Sequence, residues 1–260
     1  MIGNLLILFD RRFQTKILYI FLGNYFLATL FSLTAQNLNF HTIRAFDILM
    51  GLLTGLFFLI NFLIYRHSIV LNGLSLSVSI MRIALIIPIL ASIFIFRQAV
   101  NPLKYIGIGV VITSFLLLAD RSHFRSILPI FALFVITGCT ETLLKLYDEL
   151  GVPEQGNFIL LLFFTAFLIN LLIILIKRIP LHYLSFGCGL LLGIPNQLTT
   201  KYFLKSLQSV PAPIAYPMFA ASVVIICFFM DILVWKKRFA AIKKIAYGIM
   251  ISGIVLLNLQ

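Results

Sequence analysis

A chain of 260 residues that is 62% hydrophobic and only 11% charged carries too much apolar surface for a water-soluble core, because soluble domains are about 45–50% apolar and about 25% charged. Lipid is therefore its solvent. The net charge of +12 comes from 20 Lys and Arg against 8 Asp and Glu. It falls mostly in short loops, where it reads as a topology signal and as attraction to anionic headgroups. No basic stretch is long enough to track a phosphate backbone, so nucleic acid is excluded as a partner.

In chain order, Ile2–Phe9 is apolar but only about 12 Å long as a helix. Its charges, Asp10, Arg11 and Arg12, follow the apolar piece, the wrong order for a signal peptide. Runs of about 17–25 residues, the length a membrane helix needs, then cover Ile17–Gln36, Ile43–Tyr65, Leu74–Phe96 and Leu103–Ala119. After the polar link Asp120–Arg125 come Ile127–Leu146, Phe158–Ile176, Tyr183–Phe203, Ala212–Trp235 and Ile242–Leu259. The pattern predicts an all-α, polytopic membrane helix bundle of nine complete spans, with no soluble domain. Cys139, Cys188 and Cys227 lie inside apolar runs without CxxC or metal spacing, and read as small fillers.

The chain repeats itself at a shift of about 138–139 residues, the kind of self-similarity worth seeking first. Gly51–Gly73, GLLTGLFFLINFLIYRHSIVLNG, falls on Gly189–Pro211, GLLLGIPNQLTTKYFLKSLQSVP. Pro102–Ala119 falls on Ala241–Asn258, with Gly109 on Gly248, and Asn4–Phe13 falls on Thr142–Gly151. The last match makes Asn4–Phe9 the end of a first span whose beginning is absent, so that Met1 lies inside an ancestral helix. A stable, active product starting at Met1 would refute this. Each full unit then has five spans, residues 1–126 and 127–260, and an odd number inverts the second unit in the membrane, as in many secondary transporters. Loop charges divide 13 to 6 in favour of the side bearing Asp10–Lys16, which puts that side in the cytoplasm and the C-terminus outside.

These features together resemble the drug/metabolite transporter (DMT) superfamily, and within it the EamA-like ten-helix members. The residues that carry the likeness are Gly23–Tyr25 (GNY), Gly193–Gln197 (GIPNQ), Ala212–Met218 and the closing Lys243–Leu257, KKIAYGIMISGIVLL. The resemblance implies two inverted five-helix halves. Four helices of each half surround a central cavity, and the fifth of each lies at the periphery. It also implies export of amino acids, drugs and metabolites, or carriage of nucleotide sugars. Two departures stand out. The first helix is incomplete, and Arg97 and Lys236–Lys237 replace the acidic residue usual after the fourth and ninth helices.

An ionisable residue inside a span costs a few kcal/mol even on the mildest scales, so each is a site candidate. Arg82 lies near mid-depth of the fourth span, counting the partial first, after Ser75, Ser77 and Ser79, and Glu141 lies in the sixth span, at depths differing by roughly 8–9 Å. They read either as an anion-binding arginine with a coupling glutamate or as a structural pair. In Gly189–Met218, the residues Gly193 and Pro195 predict an interrupted helix, followed by Asn196, Gln197, Thr199, Thr200 and Lys201. The aligned Phe57, Phe58 and Leu59 of the first repeat are apolar, so this asymmetry favours a substrate site over a self-satisfied kink. Asn24, Tyr25, Asn61 and Tyr216 either add polar contacts or bond across helices. Arg44 with Asp47 and Asp231 with Lys236 read as pairs at span ends, while His41, His67, His123 and His182 read as solvated.

No GxSxG, HExxH or GxxxxGK[ST] motif is present, which argues against an enzyme and against ATP hydrolysis. The expected function is a secondary transporter of a small polar metabolite, an exporter or exchanger working by alternating access with no cofactor and no metal. Its setting is a bacterial inner membrane and its partners are the substrate and the bilayer, with room for a homodimer. The alternative is a non-transporting membrane protein or assembly partner derived from such a transporter.

Overall fold

The structure, a computed structural model, describes residues 16–35, 38, 43–119, 124–233 and 240–259. The expected partial first span, Asn4–Phe9, lies outside them, as do His41, His123 and Lys236. The described residues form ten helices: α1 Ile17–Ala35, α2 Ala45–Asn72, α3 Leu74–Ile83, α4 Ile86–Phe94, α5 Pro102–Leu118, α6 Ile127–Leu150, α7 Gly156–Ile176, α8 Tyr183–Ser209, α9 Ala212–Leu233 and α10 Ala241–Asn258. Counting α3 and α4 as one segment, 7 segments are long and apolar enough to cross a membrane. The chain is an integral, multi-pass helical membrane protein. Two further helices fall outside these seven: α5, apolar but 17 residues long, and α8, which is 27 residues long and carries Asn196, Gln197, Lys201 and Lys205.

Contacts gather the chain into two compact units, Met1–Phe62 with Leu146–Gln208, and Leu63–Lys145 with Ser209–Gln260. Each unit draws residues from both expected repeats. Each also packs together two helices that begin 139 residues apart: α1 with α7 (17 to 156), and α5 with α10 (102 to 241).

In the first unit, glycines let backbones touch. Helix association in lipid lacks a hydrophobic drive and relies on close van der Waals packing, which small residues such as GxxxG pairs permit. Gly51 and Gly55 of α2 lie on Leu161, Leu162 and Thr165 of α7. The corresponding Gly189 and Gly193 of α8 lie on Ile20, Asn24, Leu27 and Ala28 of α1, and Gly23 of α1 reciprocates against Phe186 and Leu190. A Cβ at Gly189 would overlap the carbonyl oxygen of Ile20. The start of α1 is held by side chains: Tyr19 Oη donates to the carbonyl of Ile179 (2.9 Å), Asn170 Nδ2 to that of Leu18 (2.8 Å), and the Lys16 N–H to Ser185 Oγ (3.0 Å). His182 is half-buried rather than solvated, and its Nδ1 accepts the Ser185 N–H at 3.2 Å, satisfying a free donor at the start of α8. The expected pair at the start of α2 forms, Arg44 Nη2 to Asp47 Oδ1 at 3.1 Å, with Asp47 only 1% exposed. Beyond it, the rings of Phe46, Tyr147 and Phe158 stack in series.

In the second unit, α2 runs on past Tyr65 to Asn72, then turns into α3 through Gly73 alone. Gly73 sits at φ 80, ψ 160, a conformation open essentially to glycine only. Ser68 and Ser77 share a hydrogen bond across this turn (2.8 Å), and Asn72 Oδ1 accepts the Arg125 and Ser126 N–H groups just ahead of α6 (2.9 and 3.0 Å). Asn101 caps α5 by accepting the Leu103 N–H (3.2 Å), with Pro102 at the first helical position. Gln98 Oε1 accepts the Ala212 N–H at the start of α9 (3.0 Å).

Leu74–Phe96 was expected to be one continuous span. It is broken at Ala84–Leu85, where Leu85 N–H reaches back three residues to Arg82 and Ile87 N–H three residues to Ala84. Pro88 explains the break, because it has no N–H to offer the Ala84 carbonyl and its ring disfavours a regular helix four residues upstream.

The close approach of α8 to α1 makes a paired prediction. Gly189→Ala should destabilise the protein by at least about 1–3 kcal/mol through overpacking. Gly187→Ala, two residues away with open space around it, should be neutral or stabilising by about 0.5–1 kcal/mol. Thermal unfolding in detergent checks both; equal effects would refute the packing account.

Candidate functional site

The candidate residues fall into two groups, one in each unit. In the first unit, α1 supplies Asn24 and Tyr25, and α8 supplies Asn196, Gln197 and Lys201. The expected interruption of α8 does not occur. The helix is continuous through Pro195, whose ring sits on the exposed face. Membrane helices accept an internal proline where neighbouring groups re-satisfy the freed backbone. Thr200 Oγ1 donates to the Asn196 carbonyl of its own helix (3.1 Å).

Asn196 and Gln197 turn inward. Asn196 Nδ2 donates to Asn24 Oδ1 at 3.3 Å, an interhelical bond just where Gly193 lets the two backbones meet. Gln197 has 0% exposure, and neither its Nε2 nor its Oε1 has a hydrogen-bond partner. The hydroxyl of Tyr25 is also buried without a partner, behind a ring set among Phe21, Phe62 and Phe163. Leaving such groups unsatisfied costs about 1–3 kcal/mol each, so both side chains are candidates for polar contacts beyond those the protein itself supplies. Lys201 is half-buried on the same helix. Asn24 and Asn196 thus serve as interhelical glue, while Tyr25 and Gln197 keep unspent hydrogen-bonding capacity.

In the second unit, Arg82 ends the α3 half of the broken span, two residues before the turn at Ala84–Leu85. Its guanidinium has Glu141 of α6, Tyr65 of α2 and Cys227 of α9 as electrostatic neighbours, and its buried Nε lacks a hydrogen-bond partner. Gly138, three residues before Glu141, brings α6 against Ile87 just beyond the break, where a Cβ would overlap that side chain. Thr140 and Thr142, on either side of Glu141, return their hydroxyls to Ile136 and Gly138 carbonyls of their own helix (2.6 and 2.7 Å). The Tyr216 hydroxyl donates to the backbone carbonyl of Glu141 (2.8 Å), tying α9 to α6.

Two buried residues of this unit were not visible as such in the sequence. Lys145, which reads as a loop charge from its place in the chain, is buried in α6 at 1% exposure, one helical turn after Glu141. Tyr65 ends an apolar run, but the helix continues beyond it. The spacing Glu141–Lys145, four residues apart, was the available signal for Lys145. Among the described residues no group of three His, Cys, Asp or Glu is placed to hold a metal ion.

No family model matches the chain, and no curated protein matches it. Among solved structures, one described only as "Crystal structure of protein" superposes with a TM-score of 0.63 over 99% of this chain and 94% of its own, at 11% sequence identity. That likeness extends over nearly the whole length of both chains and is one of fold alone.

Gln197 gives the test of the first group. Gln197→Met removes two unsatisfied polar atoms at nearly constant volume and should raise stability by about 1–3 kcal/mol while lowering whatever activity needs the amide. Thermal unfolding and activity measured on the same preparation check it; a fall in stability would show that the amide has a structural partner.

Proposed function

We propose that the chain is a secondary transporter of a small polar metabolite, an exporter or exchanger working by alternating access, and a member of the EamA-like branch of the drug/metabolite transporter superfamily. The reading rests on one observation above all: a guanidinium with an unpartnered buried Nε, beside a carboxylate, in the middle of a membrane span. A charge there costs about 2.5–3.5 kcal/mol on translocon scales, which makes an intramembrane arginine a site candidate. The fold agrees, since packing of helices 139 residues apart is what an inverted repeat produces across its symmetry axis. The break beside Arg82 agrees too, because non-helical backbone at membrane depth is tolerated only inside protein or beside a wet cavity.

On this reading Arg82 holds the substrate in the second unit, with Glu141 facing it as the coupling carboxylate and Tyr216 beside it, and Asn24, Tyr25, Asn196, Gln197 and Lys201 are the candidate substrate-binding residues of the first unit. No reaction is catalysed and no cofactor is needed. The two repeats, 1–126 and 127–260, are inverted relative to each other, and the protein works in a bacterial inner membrane.

Proteoliposome counterflow with a panel of isotopically labelled amino acids, carboxylic acids and nucleosides tests the proposal. At least one solute should accumulate against unlabelled solute inside. Arg82→Ala should fold, yet lose about tenfold or more of that flux, as expected for one charge-assisted contact of about 1.5–3 kcal/mol. Full flux in a folded Arg82→Ala protein would remove Arg82 from the site. Counterflow of no solute would favour the non-transporting alternative.

A further inference from the structure

We propose that Gln197 binds a solute through an uncharged group carrying a hydrogen-bond donor and an acceptor side by side, as a primary amide, a lactam or a nucleobase edge does. The inference rests on the reading of the first-unit polar residues as substrate-binding and adds the chemical class of the group they take.

The repeat itself supplies the comparison. Within the first unit, α2 packs on α7 and α8 packs on α1 through corresponding glycines, Gly51/Gly55 and Gly189/Gly193. Just beyond Gly55, Phe58 meets Phe163 edge to face with ring centroids 6.1 Å apart, and Leu59 is buried at 1% exposure. Asn196 and Gln197 stand at the places that match Phe58 and Leu59, and Asn24 stands at the place that matches Phe163, as the starts of α1 and α7 align. There the two rings are replaced by the Asn196–Asn24 hydrogen bond, and the leucine by Gln197 at 0% exposure. Apolar side chains close this contact in one half of the repeat, so the packing asks for volume and not for polarity. The other half buries hydrogen-bonding groups that the packing does not need, and such burial is unfavourable unless they find partners.

Gln197 is where that cost falls. Its Nε2 and Oε1 are both buried without a hydrogen-bond partner, and among the described residues it is the one carboxamide left with both. A carboxamide offers two N–H donors and a carbonyl acceptor on adjoining edges, so the group that satisfies both sides carries the same pair in reverse. Charge sets the rest. Neither α1 nor α7 contains an Asp, Glu, Lys or Arg. Asp47, at the start of α2, is paired with Arg44. On α8, Lys201 has an interaction of its own one turn beyond Gln197, and Lys205 is exposed. An ion arriving at Gln197 would shed its water with no unengaged opposite charge beside it, which is costly. An uncharged amide exchanges two hydrogen bonds with water for the two that Gln197 offers.

The test uses the full chain in phosphatidylcholine nanodiscs, with isotopically labelled glutamine and asparagine whose side-chain amides are followed by NMR. The signals of Gln197 and Asn196 are those lost in Gln197→Met and Asn196→Leu. Acetamide and pyrrolidinone should shift both signals saturably. Acetone, which has the acceptor alone, should bind about tenfold more weakly, as expected for one hydrogen bond fewer. Acetate and methylammonium should leave both signals in place. In Gln197→Met the Asn196 signal should stop responding to acetamide. Gln197→Asn, which keeps the amide and guards against a folding artefact, should bind acetamide more weakly yet still prefer it to acetone. Equal shifts by acetate or methylammonium, shifts that never saturate, or an Asn196 response that persists in Gln197→Met would overturn the proposal. So would no response to any probe, which would leave water as the occupant. Saturable amide binding by a chain that moves no solute in proteoliposomes keeps this site and loses the transporter reading. Counterflow confined to charged solutes and unchanged in Gln197→Met keeps transport and loses this site.

Discussion

Gly189 rests on the carbonyl oxygen of Ile20 with no room for a methyl group, and the first unit is organised around that contact. In lipid, apolar side chains gain nothing by leaving one another's company for the bilayer, so helices adhere only where surfaces fit closely. The pairs Gly51/Gly55 and Gly189/Gly193 supply such surfaces at corresponding places in the chain, one against α7 and the other against α1. Interhelical hydrogen bonding follows from this proximity. Asn24 and Asn196 reach each other because Gly193 brings α8 onto the Asn24 backbone.

The same solvent explains how the remaining polar groups are treated. Serines and threonines in the spans turn back on their own helices, as Thr29 does to Tyr25, Ser32 to Ala28 and Ser92 to Pro88. Helix starts are covered by side chains from elsewhere in the fold, with Asn72 ahead of α6 and Gln98 at α9. Buried atoms without a hydrogen-bond partner occur all the same, among them the Gln197 amide, the Tyr25 hydroxyl and the Arg82 Nε, together with Thr54 Oγ1, Asn72 Nδ2 and Asn170 Oδ1.

Lipid-scale features were legible in the sequence because they depend on composition over many residues. Apolar run lengths located the spans, and the spacing of Gly51 and Gly189 located the repeat. Features set by one backbone group were not. Pro88 breaks its span but counts as apolar, so Leu74–Phe96 reads as one helix. Pro195 looks like a breaker and is not one, since α8 carries its ring on an exposed face. Helix ends overshoot the apolar runs, as at Asn72 and Leu150, because run length reports hydrocarbon thickness while the helix continues into the interface. The polar contacts of Asn196 and Tyr216, and the burial of Lys145, are tertiary outcomes, with nothing in local spacing to fix the partner. Arg82 and Glu141 were conspicuous for the opposite reason: a charge in an apolar run is rare whatever the fold around it.

The account depends most on the proposed inversion of the two repeats. Ala99 and Ala240 stand at exposed positions just ahead of the matching helices α5 and α10, with the five helices α5 to α9 between them. In a chain whose own cysteines are replaced, a single cysteine at each position should react with a membrane-impermeant maleimide from opposite sides, one in intact cells and the other only after permeabilisation. Labelling of both from the same side would contradict the inverted architecture and the transporter reading built on it.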